Sequence, residues 1–213
     1  MYIAIEGLKG AGKSTLIMHL QPWLEARGVV FSVLCPTQPM PEDHELEKRA
    51  MRCEYSDADG FRETLYAARS NYHARRVSFT QPLVLGDRSI FTSFATRWQR
   101  VESMGMANYV SSVRQLEGNI PYPDHVILLS LPDDVLLARL ASRQRDYGLE
   151  DECISRLEAA KTAYAELEKN ADVLGFAKTH WHHVDSHQHV DDLVEVVGTY
   201  ILDTLFQRNS LCA

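Results

Sequence analysis

The segment Tyr2-Ile3-Ala4-Ile5-Glu6-Gly7-Leu8-Lys9-Gly10-Ala11-Gly12-Lys13-Ser14 sets the architecture of this chain. Its first five residues form an apolar run of strand length with no clean polar alternation, as a strand buried on both faces does. The next eight satisfy G-x-x-x-x-G-K-[ST], and a helical pattern opens near Lys13. Small residues at this spacing let consecutive backbone N–H groups turn inward as an anion-binding nest. The following helix points its positive end at the same place. Lys13 adds a point charge suited to β- and γ-phosphates, and the Ser14 hydroxyl is a ligand for Mg²⁺. Gly7, Leu8, Lys9, Gly10, Ala11, Gly12, Lys13, Ser14 and Thr15 are therefore the candidate ATP-binding residues.

Outward from that turn, four more strand-length apolar segments follow, at residues 29–35, 82–87, 125–131 and 181–185. Helical patterns separate them, at residues 13–27, 57–80, 94–117, 133–143 and 150–170, and a closing amphipathic helix is expected over 190–206. Strand and helix in alternation predict a parallel sheet with right-handed crossovers. Pro36, Pro39 and Pro41 interrupt the pattern, so residues 36–41 read as a loop leading to a short helix over 42–53. Gly28 stops the first helix as a C′ glycine, and Pro132 suits a first helical position ahead of Asp133 and Asp134.

The chain has 213 residues, 45% hydrophobic and 24% charged, with a net charge of −7. One domain over 1–213 accounts for that length, and the negative balance argues against a nucleic-acid polymer as partner. No apolar run approaches the roughly 20 residues that span a bilayer, and residues 1–6 lack the basic start of an export signal, so a cytoplasmic protein without a membrane partner is expected. Cys35, Cys53, Cys153 and Cys212 form no C-x-x-C pair and read as reduced thiols. His180, His182, His183, His187 and His189 crowd one segment. His182 and His183 would face opposite sides of a strand, and no cysteine or carboxylate pair completes a metal set.

Asp87-Arg88-Ser89 closes the third apolar segment. Strand ends in a doubly wound sheet open onto the ligand crevice, so Asp87 is placed to hold a Mg²⁺-bound water and Arg88 to clamp an acceptor phosphate. Tyr66 and Arg69 are three apart on a helix and share a face. Arg143 and Arg145 lie in a segment without apolar period, where a mobile lid would carry positive charge to the transferring phosphoryl group.

These motifs resemble those of thymidylate kinases and their deoxynucleoside kinase relatives. Ile5-Glu6-Gly7 with Gly10 to Thr15 is similar to the family's opening, and Asp87-Arg88-Ser89 to its Asp-Arg-Tyr/His or Glu-Arg-Ser element. Residues 63–69 resemble the stretch carrying a base-stacking aromatic and an arginine. Pro123-Asp124, Pro132, Arg139 and Arg143 resemble the approach to the lid, and residues 181–186 the closing strand. The resemblance implies a single doubly wound, five-stranded parallel sheet of the P-loop kinase type with a short helical lid at about 143–150. It implies Mg²⁺ and ATP, with transfer to a nucleoside monophosphate, dTMP or a related pyrimidine deoxynucleotide foremost. Lys13, Arg88, Arg143 and Arg145 would be catalytic, Ser14 and Asp87 would hold the metal, and Tyr66, Arg69, Arg88 and Arg97 would meet the acceptor. Small-molecule nucleotides are the expected partners, with a homodimer through the helix around residues 66–77.

Departures gather on the acceptor side. Lys9 stands where thymidylate kinases often carry an acid, Leu65 where the stacking aromatic falls, Thr96-Arg97 for Tyr-Gln, and Thr37-Gln38-Pro39 for Thr-Arg-Glu-Pro. Two alternatives remain open at this point. One is a nucleoside kinase acting on a sugar hydroxyl, favoured by Ser89 and with Glu42 as a distant base. The other is an ATP-binding regulatory module without turnover.

Overall fold

The computed structural model describes residues 1–52, 60–142 and 153–211. Its strands are β1 (Tyr2–Gly7), β2 (Phe31–Leu34), β3 (Leu83–Asp87), β4 (His125–Ser130) and β5 (His180–Asp185). They form one parallel sheet in the order β2-β3-β1-β4-β5. The helices are α1 (Lys13–Glu25), α2 (Glu45–Met51), α3 (Phe61–Ala74), α4 (Ile90–Thr96), α5 (Val101–Met104), α6 (Met106–Leu116), α7 (Asp133–Ala141), α8 (Ile154–Lys169) and α9 (Val190–Leu211). This is the α/β arrangement of P-loop kinases. Among the described residues no helix is long and apolar enough to cross a membrane.

Two apolar layers cover the sheet, and the period-2 alternation of β1 divides between them. Met1, Ile3 and Ile5 pack with Leu16, Leu20 and Leu24 of α1 and Val194, Val197 and Ile201 of α9. Tyr2 and Ala4 face the other layer, with Phe91 and Phe94 of α4, Tyr109 of α6 and Tyr164 and Leu167 of α8. The helix that follows β1 thus lies on one face, and the helix that follows its neighbour β3 on the other. That reversal opens a crevice at the carboxyl ends of β1 and β3, the place where ligands enter open α/β sheets.

Trp23 of α1 meets α9 at Gly198, where an added Cβ would stand 2.4 Å from the indole. The ring cannot swing away easily. Its Nε1 donates to Glu195 Oε2 at 2.9 Å, and the Arg27 guanidinium lies 3.5 Å from its centroid. Gly198→Ala gains about 1 kcal/mol of helix propensity but overpacks the contact, so a net loss of about 1–3 kcal/mol is expected in denaturant unfolding. Unchanged stability would show that α1 and α9 separate without cost.

Several boundaries differ from the sequence expectation. The helix expected over 94–117 is broken: α4 begins earlier, at Ile90, and ends at Thr96; a 3-10 turn covers Trp98–Arg100, and Gly105 at φ +75° separates α5 from α6. The start is early because Ser89 caps α4, its hydroxyl accepting from Phe91 N at 3.1 Å. The helix expected over 57–80 is α3, which stops at Ala74, and residues 57–59 lie outside the described residues. Pro132 is the N-cap of α7 rather than its first helical residue. The edge strands β2 and β5 are more exposed than β1 and β3, because neither has a second neighbour to cover it. Gly28, at φ +73°, ends the first helix as expected: it donates to Glu25 O, and Val29 donates to Leu24 O, the Schellman pair. His182 stacks on Tyr200 with centroids 4.0 Å apart, and His183 contacts Glu168 at 2.8 Å.

Candidate active site

Gly7, the last residue of β1, lies so close to β4 that a Cβ there would come within 2.5 Å of Leu129 O. Gly12 caps α1 at φ +93°, a conformation that turns the loop backbone into the helix start. Within the turn Lys13 is a buried residue, and its ammonium donates to Gly7 O at 2.8 Å and Leu8 O at 2.7 Å. The loop's own carbonyls thus hold its cation at the mouth of the nest.

Asp87 is level with Ile5 in the β1–β3 register, which carries its carboxylate to the same mouth. The Ser14 hydroxyl donates to Asp87 Oδ2 at 3.3 Å. Two residues distant in sequence therefore bring hard oxygens together, a donor set that suits Mg²⁺, which takes one or two protein ligands and completes its shell with water and phosphate. Beside the loop a cavity of about 340 Å³ is lined by Gly10, Gly12, Thr15, Arg139, Ser186 and Gln188. Arg139 reaches across it, Nη2 donating to Ser186 O at 3.2 Å.

Arg88 alone among the described non-glycine residues has positive φ, +79°. Its Nη1 donates to Thr92 Oγ1 at 3.3 Å. A left-handed conformation costs an L-residue about 1–2 kcal/mol, and such strain gathers at functional sites. Arg88→Gly and Arg88→Ala both remove the guanidinium, and only the alanine keeps a Cβ in the strained region. The glycine variant is expected to be the more stable of the two by about 1 kcal/mol, while both lose acceptor turnover. Equal unfolding midpoints would show that the turn carries no strain.

Two of the acceptor candidates, Arg69 on α3 and Arg97 just after α4, are held by carboxylates. Arg69 makes a bidentate pair with buried Glu47, Nε to Oε1 at 2.7 Å and Nη2 to Oε2 at 2.6 Å, with Nη1 3.5 Å from Thr37 O and its Cζ 5.4 Å from the Tyr66 ring. Burial alone would raise the Glu47 carboxyl, yet the Arg69 and Met40 N–H bonds hold it below the usual glutamate range. Arg97 lies between Glu63 at 3.4 Å and Glu117 at 3.6 Å, and Arg100 also binds Glu63. Burial pushes the Glu117 carboxyl up, with the nearby Arg97 guanidinium opposing. Leu65 packs into a small core with Met40 and Phe61.

The sequence model of the family described as thymidylate kinase matches residues 5–197, most of the chain. The chain belongs to the thymidylate kinase family. It is similar to a thymidylate kinase of Synechococcus sp., 28% identical over 218 residues covering 96% of this chain and 98% of that protein. It is also similar to a probable thymidylate kinase of Pyrococcus horikoshii, 30% identical over 154 residues covering 67% and 70%. A probable thymidylate kinase 1 of Saccharolobus solfataricus is 28% identical over 169 residues, covering 78% and 82%.

As a member of the thymidylate kinase family the chain is a nucleoside monophosphate kinase, an enzyme that transfers a phosphoryl group to a small nucleotide. In this thymidylate kinase relative Lys13, Ser14, Asp87 and Arg88 lie at the carboxyl ends of β1 and β3, whereas Arg69 and Arg97 each sit against acids. Arg143 and Arg145, with the lid expected at 143–150, lie outside the described residues.

Sequence reasoning missed the role of Glu6. It is fully buried and accepts from Ser89 N and Oγ, both at 2.7 Å, from Thr92 N at 3.2 Å and Oγ1 at 2.7 Å, and from Tyr164 OH at 2.9 Å. The available signal was a lone acid on the Tyr2/Ala4 face of an apolar strand, where a charge persists only if it is paired. The carboxylates around Arg69 and Arg97 left no such mark.

Proposed function

We propose that this kinase moves the γ-phosphoryl of Mg·ATP onto the phosphate of dTMP or a closely related pyrimidine deoxynucleotide, acting in the cytoplasm. The observation that carries the proposal is the convergence of Lys13, Ser14, Asp87 and Arg88 at one crevice, in a chain whose relatives are named thymidylate kinases. An acceptor phosphate oxygen attacks the γ-phosphorus, the bond to the β–γ bridging oxygen breaks, and ADP leaves. The enzyme forms no covalent bond.

Loop amides and Lys13 hold the β- and γ-phosphates, exchanging the Gly7 and Leu8 carbonyls for phosphate oxygens. Ser14 and Asp87 would hold Mg²⁺, which neutralises charge on those oxygens. Arg88 grips the acceptor phosphate and Arg69 faces the base, while Arg143 and Arg145 bring charge to the group in flight. Catalysis here is positioning and electrostatics. Ser89 favours a nucleoside acceptor only through the likeness of Asp-Arg-Ser to the nucleoside kinase element, whereas the thymidylate kinase family match over residues 5–197 supports the monophosphate reading.

An ADP-release screen over all nucleoside monophosphates and nucleosides with Mg·ATP tests this. dTMP is expected to give the highest kcat/KM and thymidine none. Faster turnover of a nucleoside than of its monophosphate would overturn the proposal.

A further inference from the structure

Arg88 needs one fixed orientation if it is to meet a phosphate with its fork, and a buried hydrogen-bonded chain leads to it. Tyr164 of α8 donates to Glu6 Oε2, Thr92 Oγ1 donates to the same oxygen, and Arg88 Nη1 donates to Thr92 Oγ1. The proton directions are settled by chemistry. A guanidinium only donates, so the Thr92 hydroxyl accepts from Arg88 and its one proton is left for Glu6 Oε2 at 2.7 Å. Burial, then the Glu6 charge, push the Tyr164 hydroxyl far above its ordinary range, so it too remains a donor.

We infer that Thr92, Glu6 and Tyr164 are positioning residues that set the Arg88 guanidinium for the acceptor phosphate. A hydroxyl that donates to a carboxylate is a stronger acceptor, so Glu6 tightens the Thr92–Arg88 bond through the shared hydroxyl. That bond occupies one N–H of Nη1 and leaves the other N–H groups for phosphate oxygens. Glu6 also accepts from Ser89 N, the amide that follows Arg88, at 2.7 Å, which fixes the strained backbone from which the side chain departs. Tyr164 ties the assembly to α8, so three elements converge on one arginine.

The inference rests on the proposed monophosphate acceptor. Its test compares Thr92→Val, Thr92→Ser and Tyr164→Phe, measuring KM for dTMP and for ATP separately. Thr92→Val keeps the side-chain shape and loses the hydroxyl. It is expected to raise KM for dTMP about ten-fold with KM for ATP within about two-fold, as loss of a charged hydrogen bond at one site does. Thr92→Ser restores the wild-type value, and Tyr164→Phe gives a smaller rise in the same direction. An unchanged KM for dTMP in Thr92→Val, an equal rise for ATP, or no rescue by serine overturns the inference.

If the unaltered protein phosphorylates no monophosphate, it is the proposed function that has failed. Arginine side-chain NMR of the substrate-free protein then decides the positioning role. Slow Arg88 guanidinium rotation in the wild type that becomes fast in Thr92→Val supports it, and equal rates overturn it.

Discussion

Lys13→Ala is expected to lower kcat by on the order of 10³-fold while the protein stays folded. The Lys13 ammonium lies against the loop backbone, donating to Gly7 O and Leu8 O at 2.8 and 2.7 Å. On the proposed reading, phosphate oxygens would replace those carbonyls, and this ammonium would meet the negative charge they gain during transfer. Removing it takes away an interaction that strengthens between bound substrate and transition state, so the loss falls on kcat. Folding depends on it less: two hydrogen bonds vanish, worth about 1–3 kcal/mol together. Single-turnover ADP formation read beside thermal unfolding checks both halves. A variant within about ten-fold of wild-type kcat would remove Lys13 from the transition state.

Glu6→Leu is expected to be the most destabilising change in the crevice, costing about 4 kcal/mol or more. Five donors converge on this buried carboxylate, and leucine satisfies none of them. Each buried unpaired group costs about 1–3 kcal/mol, and total stability is only about 5–15 kcal/mol. Glu6→Gln behaves differently. The Oε1 position receives two backbone amides and the Ser89 hydroxyl, so the glutamine oxygen belongs there. The Oε2 position receives the Thr92 and Tyr164 hydroxyls, which can turn to accept from an amide NH₂. A loss of about 1–2 kcal/mol is expected for glutamine. Denaturant midpoints compared across wild type, Glu6→Gln and Glu6→Leu test the contrast, and equal losses for the two variants would show that shape matters here and donors do not.

The loop was legible because all its parts lie within eight consecutive residues: small residues for the turn, a lysine for the charge, a hydroxyl beside it. Parallel strands were legible for a similar reason, since continuous apolar runs mark strands covered on both faces. Asp87 and Arg88 were legible at one remove, as polar residues at the end of such a run. The acceptor side was not. Arg69 and its clamp Glu47 are 22 residues apart, and Arg97 gathers Glu63 and Glu117 from two different elements. Helical spacing placed Tyr66 beside Arg69, but no local pattern announces which carboxylate will face an arginine once the helices pack.

Backbone chemistry along the chain was enough to specify an anion-binding turn between strand and helix, because hydrogen bonding and steric freedom there involve neighbours in sequence. Where Arg88 is held, and what the acid of β1 does, depended on assembly. Glu6 meets donors from residues 89, 92 and 164, and only the crossing of β1 under α4 and α8 brings those groups within reach of one carboxylate.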